Sequence, residues 1–229
     1  MTTERGRLMR IRMGWLGLGL AAVGIGSAMA VGSASRPAEA KRPEDMANVA
    51  VLLAGMQGTA PIPCALALTV IEGNAGWGNW YGGAAGMSDP VLGQLRPWLE
   101  QRITDPAVVP VLRSAMAPGD ACVRQTAARL LGRTRHPQAV RALVEALRDA
   151  DPSTRELGAL GLGLADDASA YEPLVGALRD TAAGVRAASA MALGQLEDHR
   201  AAPALVALLK NDRVPEVRRA AASALGKLD

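Results

Sequence analysis

The chain is 229 residues long, 49% hydrophobic and only 3% aromatic, contains no Phe, and carries a formal charge of +3. That supply of apolar residues suffices for one or two cores, and Ala, Leu, Val and Gly suit closely packed helices, because small residues let helix axes approach. The charge is no argument for a nucleic-acid partner: residues 1–30 hold four of the 25 basic residues and one of the 22 acidic ones, leaving 21 of each.

Arg5, Arg7, Arg10 and Arg12 precede an uncharged run from Met13 to Ser35, in which Ala28-Met29-Ala30 fits a small-x-small cleavage site. This reads as a signal peptide over residues 1–30 or as an uncleaved membrane anchor. Both put the rest of the chain outside the inner membrane, in a periplasmic or other extracytoplasmic space, since the arginines favour a cytoplasmic N-terminus. Residues 31–43 make a charged, Pro-containing linker. Helices are expected over Glu44–Met56, Pro61–Glu72 and Asp89–Ile103, the last with a break before Pro97. The connection over residues 73–88 is long for a helix link and holds Trp77, Trp80 and Tyr81. Two readings fit this loop: an exposed aromatic site for a ligand, or a plug of large side chains over the end of an Ala-rich stack.

From there on the sequence repeats itself. Val123–Gly132 (VRQTAARLLG), Thr154–Gly163 (TRELGALGLG), Val185–Gly194 (VRAASAMALG) and Val217–Gly226 (VRRAAASALG) align at offsets of 31, 31 and 32. Between them lie Ala139–Asp149, Ala170–Asp180 and Ala201–Asn211, and Ala107–Met116 resembles these upstream. Apolar spacing such as Val140, Leu143, Val144 and Leu147, or Val185, Ala188, Met191 and Ala192, makes both kinds of segment helices. Asp120 and Asp151 suit N-caps, and Gly132, Gly163, Gly194 and Gly226 suit left-handed C-caps. Two such helices cannot enclose a core alone, so the pairs must stack.

The VR...A..LG...A...L...L.D pattern resembles the HEAT-like repeats of the phycobilisome-lyase type over residues 105–229, about half of the chain. The expected fold is therefore all-α: an α-solenoid of helical hairpins, with a partial repeat at 105–116, repeats at 117–149, 150–180 and 181–212, and a half-repeat at 213–229. Residues 44–104 become diverged repeats that cap the stack. The resemblance covers scaffolds, adaptors and a few enzymes. Its deoxyhypusine hydroxylase branch holds iron through His-Glu pairs, whereas here His136 precedes Pro137 and His199 precedes Arg200. The Gly158–Gly163 run GALGLG lies inside a repeat helix with no strand before it, which makes it packing rather than a dinucleotide loop.

Arg124, Arg155, Arg186 and Arg218 recur at one helix position and read as a structural ladder, with Asp149, Asp180 and Asp212 or nearby carbonyls as partners. Second helices line the concave face in such solenoids. Here Arg141, Glu145, Arg148, Glu172, Arg179 and Lys210 point away from the apolar stripe; the basic row among them reads either as cations at helix C-termini that offset the helix dipole or as part of a mixed-charge groove for a protein or peptide partner. In an exported chain an even cysteine count invites a disulfide, and a Cys64–Cys122 bridge would tie the cap to the first complete repeat, with two free thiols as the alternative. The reading is an exported, non-enzymatic scaffold with no cofactor, no metal and no nucleic acid, able to self-associate at its C-terminal edge. A ligand- or chromophore-handling accessory using the Trp77–Tyr81 loop, and a membrane-anchored sensor, are its alternatives.

Overall fold

The computed structural model describes Arg42, residues 44–56, Leu68, Ile71, residues 90–99 and residues 101–228. By its contacts the chain separates into Met1–Pro37 and Ala38–Asp229, and the described residues all belong to the second unit. Residues 1–30, Cys64 and the Trp77–Tyr81 loop lie outside the described residues, as does most of the helix expected over Pro61–Glu72.

Every described element is helical: α1 (Glu44–Gly55), α2 (Pro90–Leu99), α3 (Val108–Ala115), α4 (Ala121–Thr134), α5 (Pro137–Ala146), α6 (Pro152–Leu164), α7 (Tyr171–Ala177), α8 (Ala183–Gln195), α9 (Ala202–Asn211) and α10 (Pro215–Leu228). Single turns of 3-10 helix, Ala168–Ala170 and His199–Ala201, lead into α7 and α9. The helices begin where the sequence supplies acceptors for free N–H groups. Asp120 accepts from Cys122 and Val123, Asp151 from Ser153 and Thr154, and the His136 ring from Gln138, with Pro137 and Pro152 in the first turns where a missing N–H costs nothing.

Two layers result. The first helices α4, α6, α8 and α10 stack side by side, and the second helices α3, α5, α7 and α9 each lie against the first helix that follows. The second helices from α5 onward rest on the first layer rather than on one another. Val140, Leu143, Leu174 and Leu205 point into the seam with Leu131, Leu162 and Leu193, and all seven are buried. Met191, expected on the apolar stripe of its helix, is instead 42% exposed.

The glycines do a different job from the one their position suggests. Gly132, Gly163 and Gly194 lie inside helices that run on to Thr134, Leu164 and Gln195. The left-handed residues that follow are Arg135, Asp166 and Glu197, with φ of 48°, 50° and 52°. The glycines are where neighbouring first helices touch: a Cβ on Gly132 would lie 2.2 Å from the Gly161 carbonyl oxygen, and one on Gly194 would lie 2.7 Å from Ala224 Cα. No side chain fits there, so the helices approach backbone to backbone, and dispersion contacts replace the missing large residues.

Of the N-terminal helices, α1 packs against α2 and α3. Asp45 in the first turn of α1 is fully buried and accepts from Trp98 Nε1 at 2.7 Å, the Thr104 N–H at 2.7 Å and the Asp105 N–H at 3.0 Å. One carboxylate thus joins α1, the end of α2 and the strap before α3. The same contacts explain why α2 runs through Pro97 instead of breaking before it: Trp98 and Leu99, both buried, anchor the final turn, and Gln101 donates its side-chain amide back to the Pro97 carbonyl. Arg133 of α4 donates to the Ile71 and Leu99 carbonyls, which fastens this region to the first layer.

Candidate functional site

The arginine ladder runs along one edge of the first layer. Arg155 Nε and Nη2 donate to both oxygens of Asp180 at 2.7 and 2.9 Å, and Arg186 does the same to Asp212 at 2.7 and 3.0 Å. Each guanidinium is also clamped from behind through Nη1, Arg155 by the Asp149 and Ala150 carbonyls and Arg186 by those of Asp180 and Thr181. Two-pronged pairing fixes both distance and orientation, so each rung sets the spacing of consecutive repeats. The Asp212 side chain is only 6% exposed.

Arg124 departs from the expected pairing. Its partner is not Asp149 but Asp151, at 3.1 Å, together with the Thr154 hydroxyl, while its Nε donates to the Met116 carbonyl. Asp151 stands where the later repeats have Ala182 and Val214, so only this junction offers a carboxylate at that place. Hydrogen bonds from the arginines hold Asp180 and Asp212 below the ordinary carboxylate range, against the opposing effect of burial. Asp151 is held further down, first by the Thr154 hydroxyl and then by Ser153.

The second helices present the other surface. Arg141, Glu145, Arg148, Glu172, Arg179 and Lys210 are all exposed. Glu145 is committed to Arg113 of α3 at 2.7 Å, and that pair spans a recess of about 290 Å³ edged by Met116, Pro118, Asp149 and Asp151. Arg148, Arg179 and Lys210 recur at intervals of 31 residues, and none has an ion-pair partner among the described residues. The acidic residues just past Arg179 and Lys210, Asp180 and Asp212, are already held by Arg155 and Arg186. Beside this row, an added Cβ on Gly176 would meet nothing within 4 Å, and Ala207 is exposed.

Other residues take structural places. His136 caps α5, and exposed His199 begins the turn before α9. Arg200 in that turn packs over the Tyr171 ring at 4.2 Å and accepts the Tyr171 hydroxyl through its carbonyl. Among the described residues no group of three or more His, Cys, Asp or Glu is placed to hold a metal ion, and no helix is long and apolar enough to cross a membrane. Cys122, in the first turn of α4, is disulfide-bonded. Asp45 escapes a reading of the sequence because an acidic residue in a first helical turn is ordinary, and its partners lie 53 to 60 residues away.

Stacked helical hairpins joined by a periodic Arg–Asp ladder define an α-helical repeat protein. The chain belongs to the family described as HEAT repeats, which matches residues 92–156 and 140–226. Among solved structures it is similar to the complex of CpcE and CpcF of phycocyanin lyase from Nostoc sp. PCC7120, at 27% identity and a TM-score of 0.44, covering 63% of this chain and 62% of that one. It is also similar to human deoxyhypusine hydroxylase in complex with glycerol, at 23% identity and a TM-score of 0.45, covering 81% of this chain and 75% of that one. The chain thus spans less than two thirds of the first of these relatives. No curated protein matches it.

Proposed function

We propose that this HEAT-repeat protein is an exported, non-enzymatic scaffold that binds another protein across the exposed side of its second helices. The observation that carries this reading is the row Arg148, Arg179 and Lys210, which has no ion-pair partner among the described residues, while Asp180 and Asp212 beside its last two members are engaged elsewhere. Beside it, Gly176 and Ala207 leave room for a bound segment to lie close to the helices. Consecutive helices of the first layer, on which the second helices rest, pack about 8–10 Å apart, a distance covered by about three residues of extended chain. An acidic segment with carboxylates at that spacing meets one cation per repeat.

Export is part of the same reading. Cys122 is disulfide-bonded and the sequence has two cysteines, so its partner in this proposal is Cys64, and such bridges persist in oxidising compartments outside the cytoplasm. The four arginines ahead of the uncharged run over residues 13–35 supply the address. The test is affinity purification of the tagged full chain from the cell envelope, beside the triple variant Arg148→Glu, Arg179→Glu, Lys210→Glu. Loss of a specific partner with unchanged melting supports the reading, and retention of every partner by the triple variant contradicts it.

A further inference from the structure

The row Lys210, Arg179 and Arg148 has a fourth place, 31 residues before Arg148, and Ala117 stands in it. The backbone there is the same: the Ala117 N–H donates to the Ser114 carbonyl at 3.1 Å, as that of Arg148 does to Glu145 at 3.0 Å and that of Arg179 to Gly176 at 3.2 Å. The helix ending is repeated, and the cation is not.

The recess of about 290 Å³ opens at this fourth place. Met116, Ala117 and Pro118 from the end of α3 line it together with Ala142 and Ala146 of α5. Its rim is acidic by one carboxylate. Glu145 is matched by Arg113 and Asp151 by Arg124. Asp149 stands where the later repeats have Asp180 and Asp212, but Arg124 has gone to Asp151 instead. Among the described residues the Asp149 carboxylate accepts only the Asp151 N–H, at 2.8 Å. Arg155, which donates to the Asp149 backbone carbonyl, has its own carboxylate in Asp180.

Two separate departures from the repeat thus meet at one junction, a cation missing at Ala117 and a carboxylate to spare at Asp149. An apolar lining with an anion at its rim complements an aliphatic stem that ends in a cation. Residues 57–89, which join α1 to α2, contain no Lys or Arg, so that connection has none to offer. We infer that the recess takes a Lys or Arg side chain of the same protein segment that lies along the second-helix row, one repeat beyond the carboxylate on Arg148. This rests on the function proposed above and gives the segment a register: acidic residues at three places about three residues apart, then a basic residue about three further on at the α3 end.

The probes are labelled extended peptides of about a dozen residues, with Asp at three places about three residues apart and Lys, Ala or Glu about three residues beyond one end or the other. Titrated against the full chain, the Lys peptide of one orientation should bind about tenfold more tightly than its Ala counterpart, and the Glu peptide more weakly than either. Asp149→Asn, whose side-chain oxygen still accepts from the Asp151 N–H, should bring the Lys and Ala peptides together. Ala117→Lys, at an exposed position, extends the row of cations and should invert the order, so that the Glu peptide binds best. Equal binding of the Lys, Ala and Glu peptides, lost in the triple variant Arg148→Glu, Arg179→Glu, Lys210→Glu, overturns the recess and leaves the row standing. Absence of binding by every peptide overturns the row and this inference with it. A preference for Lys that survives both Asp149→Asn and Ala117→Lys overturns the inference as well, because the cation would then sit elsewhere.

Discussion

The two outer sides of the first-helix layer are finished differently. Near α3, the buried carboxylate of Asp45 draws together Trp98, Thr104 and Asp105, and Arg133 of α4 reaches the Ile71 and Leu99 carbonyls. Beside α10, Ala222 is exposed, Gly226 faces open space and Arg218 holds only carbonyls of its own turn. The same helix type therefore stands against neighbours in one place and faces open space in the other. In a repeat protein each unit carries both halves of an interface, and what stands next to it decides whether that interface becomes core or binding surface.

The side that stands against neighbours breaks most expensively. Asp45→Ala strands three buried or half-buried donors at once and is expected to cost about 4 kcal/mol, read by chemical denaturation. Trp98 fluorescence should shift to the red in that variant as its ring nitrogen loses its acceptor.

Interior contacts come next. Gly132→Val drives a side chain into the Gly161 carbonyl and is expected to cost about 3 kcal/mol, because two packed backbones must separate. A variant as stable as the parent would show that the layer is loosely packed.

Arg186→Met removes both prongs from Asp212, whose carboxylate is nearly buried, and should lower stability by about 2 kcal/mol. The pH dependence follows from the lowered folded values of Asp180 and Asp212. Their contribution is complete above the unfolded carboxylate value of about 3.9 and is lost as pH falls below it through the folded values. Thermal scans between neutral and acid pH should therefore converge for parent and Arg186→Met at the acid end. The smallest effect belongs to the second-helix row: Arg148→Glu, Arg179→Glu, Lys210→Glu should change stability by no more than about 0.5 kcal/mol, since these exposed groups hold nothing in the fold. A large loss would mean that the row is structural.

How far the sequence discloses all this differs from one feature to the next. Helices, their pairing and the capping roles of Asp120 and Asp151 are local properties, and self-similarity at offsets of 31, 31 and 32 residues states the helices and their pairing four times over. The glycines mislead because a Leu-Gly pair near a helix end looks like a cap, and only the neighbouring helix reveals a contact. A clue was nevertheless present: Arg135, Asp166 and Glu197, the true left-handed residues, share the repeat spacing three positions further on. The switch of Arg124 from Asp149 to Asp151 depends on a carboxylate peculiar to that junction. Asp45 is invisible for a stronger reason, since its burial is made by residues far along the chain.

The central claim is that small residues exist in the first layer to admit a neighbouring helix. Its most direct measurement is the melting temperature of two matched variants, Gly194→Ala and Gly226→Ala. Alanine favours a helix over glycine by up to about 1 kcal/mol wherever there is room for it. Gly226→Ala, with nothing within 4 Å, should raise the melting temperature, and Gly194→Ala, aimed at Ala224 at 2.7 Å, should lower it. Shifts of the same sign and size in both variants would contradict the account.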